Sequence, residues 1–262
     1  MFTGFKLQIN EGYFDNSGLE FKNLYYKDKD SIRERLDKYV CDKGYINATL
    51  LEESWFPKIE ADVFISHSHI DESLAIKLGE WLWKNFKIKA FIDSCVWGHA
   101  DELMYNLNEK FGDKRIVNGE TVYDYRKGNR NSSHVHMMLS SALTKMIDSS
   151  ECLIFLNTPH SLMYNDYLNS NCTQSPWIYS ELLMSNLVQK IKPERLKNEE
   201  KFAFEHAQPI FLYKEPENKL IDLDSSDLTE WAYSWNNIGH ALDTLYKLKA
   251  NDNMELRGLF NE

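Results

Sequence analysis

The 262-residue sequence has no apolar run near the roughly 18 residues that a membrane-spanning helix needs, so no span is expected. Its first residues, MFTGFKLQINEGYF, lack the apolar core of a signal peptide. Positive charge is the minority sign: 30 Lys and Arg face 40 Asp and Glu, for a net charge of -10 and a pI near 5.3. Broad, charge-driven nucleic-acid binding is therefore not expected. Cysteine is scarce. The four residues, Cys41, Cys95, Cys152 and Cys172, form no C-x-x-C pair, so they read as reduced cytoplasmic thiols and not as a disulfide framework. No G-x-G-x-x-G, P-loop or G-x-S-x-G occurs, which removes a dinucleotide fingerprint, a phosphate cradle and a nucleophile elbow. Internal repeats and low-complexity tracts are absent too.

What remains is a globular composition, 43% hydrophobic and 27% charged, with a high aromatic share of 13%. That share points first to core packing and second to a cleft that stacks planar rings. Residues 1–58 read as an N-terminal accessory segment. Within it a helix is expected over 30–44, where Asp30 caps, Ile32, Leu36 and Val40 recur at helical spacing, and Gly44 ends the pattern. Residues 59–250 read as the main domain and 251–262 as a C-terminal tail.

Within the domain, ADVFIS (61–66), IKAFID (88–93), CLIFLN (152–157) and AQPIFLY (207–213) are short apolar runs suited to buried strands. Amphipathic helices are expected over 71–86, 100–112, 133–150, from 175 onward, and over about 231–249. Residues 113–133 read as irregular and 190–201 as a solvated turn. The alternation predicts an α/β fold, a parallel sheet with helices on both faces, plus the N-terminal extension. Ligands of such sheets bind beyond the carboxyl ends of the strands. The expected ends, Ser66-His67-Ser68, Asp93-Ser94 and Asn157-Thr158, are all polar.

One helix carries an anomaly. SPWIYSELLMS (175–185) opens with Ser175 as N-cap and Pro176 at the first helical position. Helical spacing places Trp177, Glu181, Met184 and Val188 on one otherwise apolar stripe, beside Ile178, Leu182 and Leu183. A glutamate there either sits at the edge of the buried face and reaches water, or lines a cleft with Trp177. HSHID (67–71) offers a different chemistry, because two imidazoles after a strand suit zinc. Glu72 stands where the H-x-H-x-D-H pattern of zinc hydrolases wants a further histidine, and no metal site is expected. His134 and His136 read as surface or satisfied core histidines.

Four ordered blocks, DVFISHSHIDE (62–72), FID (91–93), SSECLIFLN (149–157) and SPWIYSEL (175–182), resemble a Toll/interleukin-receptor (TIR) domain over about 120 residues. The loop SCVWGHADE departs from the receptor-type signalling loop, and the likeness is to bacterial TIR proteins of the NAD-consuming, anti-phage defence (Thoeris-like) type. The resemblance implies a flavodoxin-like fold. It implies an NAD+ glycohydrolase or cyclase that releases nicotinamide and yields ADP-ribose or a cyclic ADP-ribose isomer. NAD+ is then the substrate and no cofactor is needed. The catalytic glutamate of the W-x-x-x-E block falls on Glu181. Ser66, His67, Ser68, Asp93, Trp97 and Trp177 become candidate substrate contacts. Homo-oligomers through TIR–TIR contacts and a downstream effector that senses a nucleotide product are the implied partners, with no nucleic acid and no membrane. The alternatives are a non-enzymatic TIR scaffold, and a zinc hydrolase built on HSHID.

Overall fold

A computed structural model describes residues 1–14, 39–40, 45–97, 100–117, 120–165, 170–196, 220–250 and 256. The expected helix over 30–44, apart from Tyr39 and Val40, and the expected strand over 207–213 lie outside the described residues, as does nearly all of the 251–262 tail. The chain divides into two units: residues 1–18, 60–92 and 147–262 form the first, and 19–59 with 93–146 the second.

The first unit is built on a five-stranded parallel sheet. Its strands are β1 (Thr3–Leu7), β2 (Val63–Ser66), β3 (Ala90–Phe91), β6 (Cys152–Leu156) and β9 (Ile221–Leu223), in the order β3-β2-β6-β1-β9; β7 (Met163–Asn165) and β8 (Ser170–Cys172) pair antiparallel in a separate two-stranded sheet. Helices flank it, giving a flavodoxin-like α/β arrangement. In the flavodoxin order 2-1-3-4-5, β3-β2-β6 fill the first three places. The next two belong to β1 and β9.

That assignment corrects the boundary at residue 58, because the sheet draws a central strand from residues 3–7. β1 pairs with β6 from Thr3↔Cys152 to Leu7↔Leu156 and with β9 from Phe5↔Ile221 to Leu7↔Leu223. A strand buried on both faces normally reads as a continuous apolar run. Gly4 and Lys6 interrupt this one, although Phe5 and Leu7 are fully buried. Each such side chain contributes about 1.5–3 kcal/mol of burial.

Helix α2 (Glu72–Phe86) follows β2 and buries Leu74, Leu78, Leu82 and Phe86. The expected single helix over 231–249 is two: α7 (Ser225–Ser234) and α8 (Ala241–Lys249). Asn237 and Gly239 between them adopt φ of 63° and 76°, left-handed values that no α-helix continues through. Asp224 starts α7 with a capping box closed by Asp227. The aromatic content goes into this packing. Phe86 stacks on Trp231 at 4.1 Å, Trp81 and Trp235 meet Phe86 edge-on, and the Trp231 indole donates to the Ala241 carbonyl at 2.9 Å.

The second unit holds α1 (Ala48–Trp55), α3 (Asp93–Trp97), α4 (Ala100–Phe111), a hairpin of β4 (Arg115–Val117) and β5 (Glu120–Val122), and most of α5 (Tyr125–Ser149). The stretch 113–133 is therefore not irregular. The hairpin occupies its first half, and α5 begins at Tyr125, where the Asp124 carboxylate accepts from the Lys127 N–H. Gly128 and its Asn and Ser neighbours are weak helix formers that hid this start. In this unit the Trp97 indole donates to the Pro57 carbonyl at 3.2 Å and its ring meets Phe56 edge-on. Ser141 and Lys145 both reach Glu52 Oε1.

Candidate functional site

In a doubly wound sheet the binding crevice opens where successive strands leave in opposite directions from a common centre. Here that place lies between β2 and β6, joined in register from Val63↔Cys152 to Ser66↔Phe155. The residues that leave the carboxyl ends of these two strands gather a polar cluster.

Helix α6 (Pro176–Leu187) brings in the glutamate. It opens as its sequence dictates: the Ser175 hydroxyl accepts from the Ile178 N–H at 3.3 Å, and Pro176 takes the first position. Its buried face is Ile178, Glu181, Leu182 and Ser185, the i, i+3, i+4, i+7 pattern. Trp177 and Met184 are half-buried beside that face. The stripe that buries is thus rotated from the expected Trp177–Met184–Val188 stripe, and Glu181 stands at its centre, not at a wet edge. Only 4% of Glu181 is exposed. The Ser66 hydroxyl, at the last position of β2, donates to Glu181 Oε2 at 2.5 Å across 115 residues of sequence. A carboxylate seldom buries without such a donor.

Five residues beyond Ser66, Asp71 makes the second connection. It is 4% exposed, accepts the Thr158 hydroxyl on Oδ2 at 2.5 Å and faces His160 Nδ1 from Oδ1 at 2.9 Å. Thr158 and His160 lie just beyond β6, so this contact ties the exits of the two adjacent strands together. The loop is braced locally. The His160 and Ser161 N–H groups donate to Thr158 Oγ1, and the Ser161 hydroxyl donates to the Leu156 carbonyl at 2.8 Å.

Of the candidate contacts named from sequence, Ser66 and Glu181 are brought together by a hydrogen bond. His67 is buried, with Nδ1 3.4 Å from the Ile65 carbonyl. Ser68 precedes a 3-10 turn (His69–Asp71) without capping it through its side chain, although its carbonyl accepts from the Asp71 N–H at 2.8 Å. Asp93 and Trp97 belong to the second unit. There Asp93 opens α3, and Trp97 is 3% exposed against Phe56 and Pro57. Sequence reading did not find the Asp71–Thr158–His160 grouping. Asp71 stood inside HSHID and Thr158 at an expected strand end, but His160 carried no signal beyond its nearness to that end.

HSHID does not gather as a metal set. His67 is buried, His69 is exposed, and Asp71 is engaged by Thr158 and His160. Among the described residues, the three potential ligands that do converge are Glu151, His240 and Asp243, before β6. The Arg195 guanidinium already lies between them, donating to both Glu151 oxygens and to Asp243, and 3.3 Å from His240 Nδ1.

No protein-family model, curated protein or solved structure matches this chain.

Proposed function

We propose that the chain is a TIR-like enzyme that breaks the nicotinamide–ribose bond of NAD+, with Glu181 as its catalytic carboxylate. The observation that carries this reading is a buried glutamate, fixed by a serine hydroxyl, beside the switch point of a flavodoxin-like sheet. Cleavage of an N-glycosidic bond builds positive charge on the ribose, as in an oxocarbenium ion. A preorganised carboxylate in a low-dielectric setting stabilises that charge most where water is excluded. Nicotinamide departs as a neutral ring, so neither a metal nor a general acid is required. Ser66 holds the Glu181 carboxyl in one orientation. Trp177, one turn before it and half-buried, and His67 and Ser68, just beyond β2, are the substrate contacts of this reading. NAD+ is substrate and not cofactor. The products are nicotinamide with ADP-ribose or with a cyclic ADP-ribose isomer, the latter read by a downstream effector in anti-phage defence. Assembly into homo-oligomers through TIR–TIR contacts belongs to the same reading, as does a cytoplasmic location.

The test is incubation of the purified protein with NAD+ at low and high protein concentration, with products resolved by chromatography and mass spectrometry. Nicotinamide release should fall by about 10²–10³ in Glu181→Ala, the loss typical of one transition-state stabiliser. Equal turnover in both proteins rejects the assignment.

One observation favours a second reading, a non-enzymatic scaffold: at 4% exposure Glu181 is as enclosed as a packing residue. A scaffold predicts no nicotinamide release from the wild type and self-association that survives Glu181→Ala.

A further inference from the structure

We propose that His160 is the base that takes the proton from the attacking water, and that Asp71 with Thr158 is its positioning pair. The proposal rests on the NAD+-cleaving reading above and extends it to the second half of the reaction.

The argument begins with donors and acceptors. A carboxylate only accepts, so the His160 Nδ1 that lies 2.9 Å from Asp71 Oδ1 carries the proton. With that proton on Nδ1, the neutral form of the ring has its lone pair on Nε2. The other Asp71 oxygen is occupied by the Thr158 hydroxyl at 2.5 Å, which keeps the carboxylate from turning away. Asp71 is buried, whereas the His160 side chain is 51% exposed. The pair therefore presents an oriented, accessible nitrogen backed by an enclosed carboxylate. This is the arrangement that fixes the tautomer of a general base and stabilises the imidazolium formed when it accepts a proton. The hydrogen bonds from the His160 and Ser161 amides to Thr158 Oγ1 hold the loop that carries the ring.

Position supports the same role. Ser66, which holds Glu181, is in register with Phe155. Thr158 follows Phe155 by three residues, at most about 10 Å of extended chain. The serine that holds the stabilising carboxylate and the loop that carries the imidazole thus stand at the ends of adjacent strands, on one edge of the sheet.

The step balances. The C1–N bond of the nicotinamide riboside breaks, and its electron pair neutralises the pyridinium nitrogen. A water oxygen forms the new bond to C1, and one of its protons passes to His160 Nε2 and then to solvent. Ring closure by an adenine nitrogen needs no activated water. His160 is therefore the residue that favours ADP-ribose over a cyclic product.

The experiment compares wild type, His160→Gln and Asp71→Asn with NAD+, measuring nicotinamide, ADP-ribose and cyclic product separately. Nitrogen NMR of the imidazole in the ligand-free proteins runs beside it. The expected result is ADP-ribose formation from the wild type, at least ten-fold slower in His160→Gln, with KM for NAD+ changed less than two-fold. Asp71→Asn should show the same kcat defect and lose the Nδ1–H tautomer of His160, while thermal melts confirm that it folds. Unchanged ADP-ribose formation in His160→Gln overturns the base role alone. A wild type that makes only the cyclic product does the same, because no water is then activated. Absence of nicotinamide release from the wild type at either protein concentration overturns the NAD+ reading and this role with it.

Discussion

Strand β6 has a polar cluster at each end, and the two are built on different principles. Before its first residue, Glu151 is met by Arg195, which donates to Oε1 at 2.6 Å and Oε2 at 2.8 Å, and by the Tyr246 hydroxyl at 2.8 Å. The same guanidinium donates through Nε to Asp243. This cluster sets one guanidinium against two carboxylates, with its planar donor fork shared between them. Beyond the last residue of β6 the described partners of the carboxylates are hydroxyls and an imidazole: Ser66 for Glu181, Thr158 and His160 for Asp71. The first cluster fastens the chain before β6, and the second is the one to which the proposed function assigns the chemistry.

The largest effect should come from the frame that both clusters share. β1 runs beside β6 along all five of its residues, and Phe5 is fully buried and stacked on Tyr246 at 6.2 Å. Phe5→Ala should cost roughly 3–5 kcal/mol in urea unfolding, the range for a buried Phe truncation. A loss below about 1 kcal/mol, within reach of a surface change, would show that β1 is not a central strand and would remove the common frame.

The next effect separates the two ends directly. Arg195→Ala strips charged hydrogen bonds from Glu151 and Asp243 and should lower stability by about 1–3 kcal/mol. Glu181→Gln keeps the shape and an acceptor for Ser66 while removing a buried charge. Its stability should stay level or rise by up to about 2 kcal/mol, as when a functional group is traded for packing. Equal losses in both variants would erase the distinction between a fastening cluster and an acting one.

The legible parts of the fold follow from strand environment. β2 and β6 show as apolar runs because both faces are buried, and the start of α6 shows because Ser175 and Pro176 are local signals. β1 was hidden by Gly4 and Lys6. β9 was hidden because its Asp222 faces out between buried Ile221 and Leu223. Glu181 stands out as the one carboxylate among apolar neighbours, and its partner Ser66 ends the apolar run that forms β2. The Asp71–His160 contact joins residues 89 apart. Nothing local marks such a pair, since only the parallel pairing of β2 with β6 brings their loops together.

The smallest effect is one of acidity. Burial pushes the Glu151 carboxyl up, but hydrogen bonds from Arg195 and Tyr246 outweigh it and hold the group below the usual value of 4.5. A carboxyl with a depressed folded-state pKa binds fewer protons folded than unfolded, so it stabilises the fold above its unfolded pKa. That contribution is lost as pH falls from about 4.5 through the lower folded value. Melting temperature measured from pH 7 to pH 3 should therefore show wild type above Glu151→Gln at neutral pH, with the gap closing in the acid range. The same titration on Arg195→Ala should begin from a smaller gap, because the larger of the two hydrogen-bonding causes is gone. A gap that stays constant down to pH 3 would mean that Glu151 is not held by its charge, and the contrast between the two ends of β6 would then rest on shape alone.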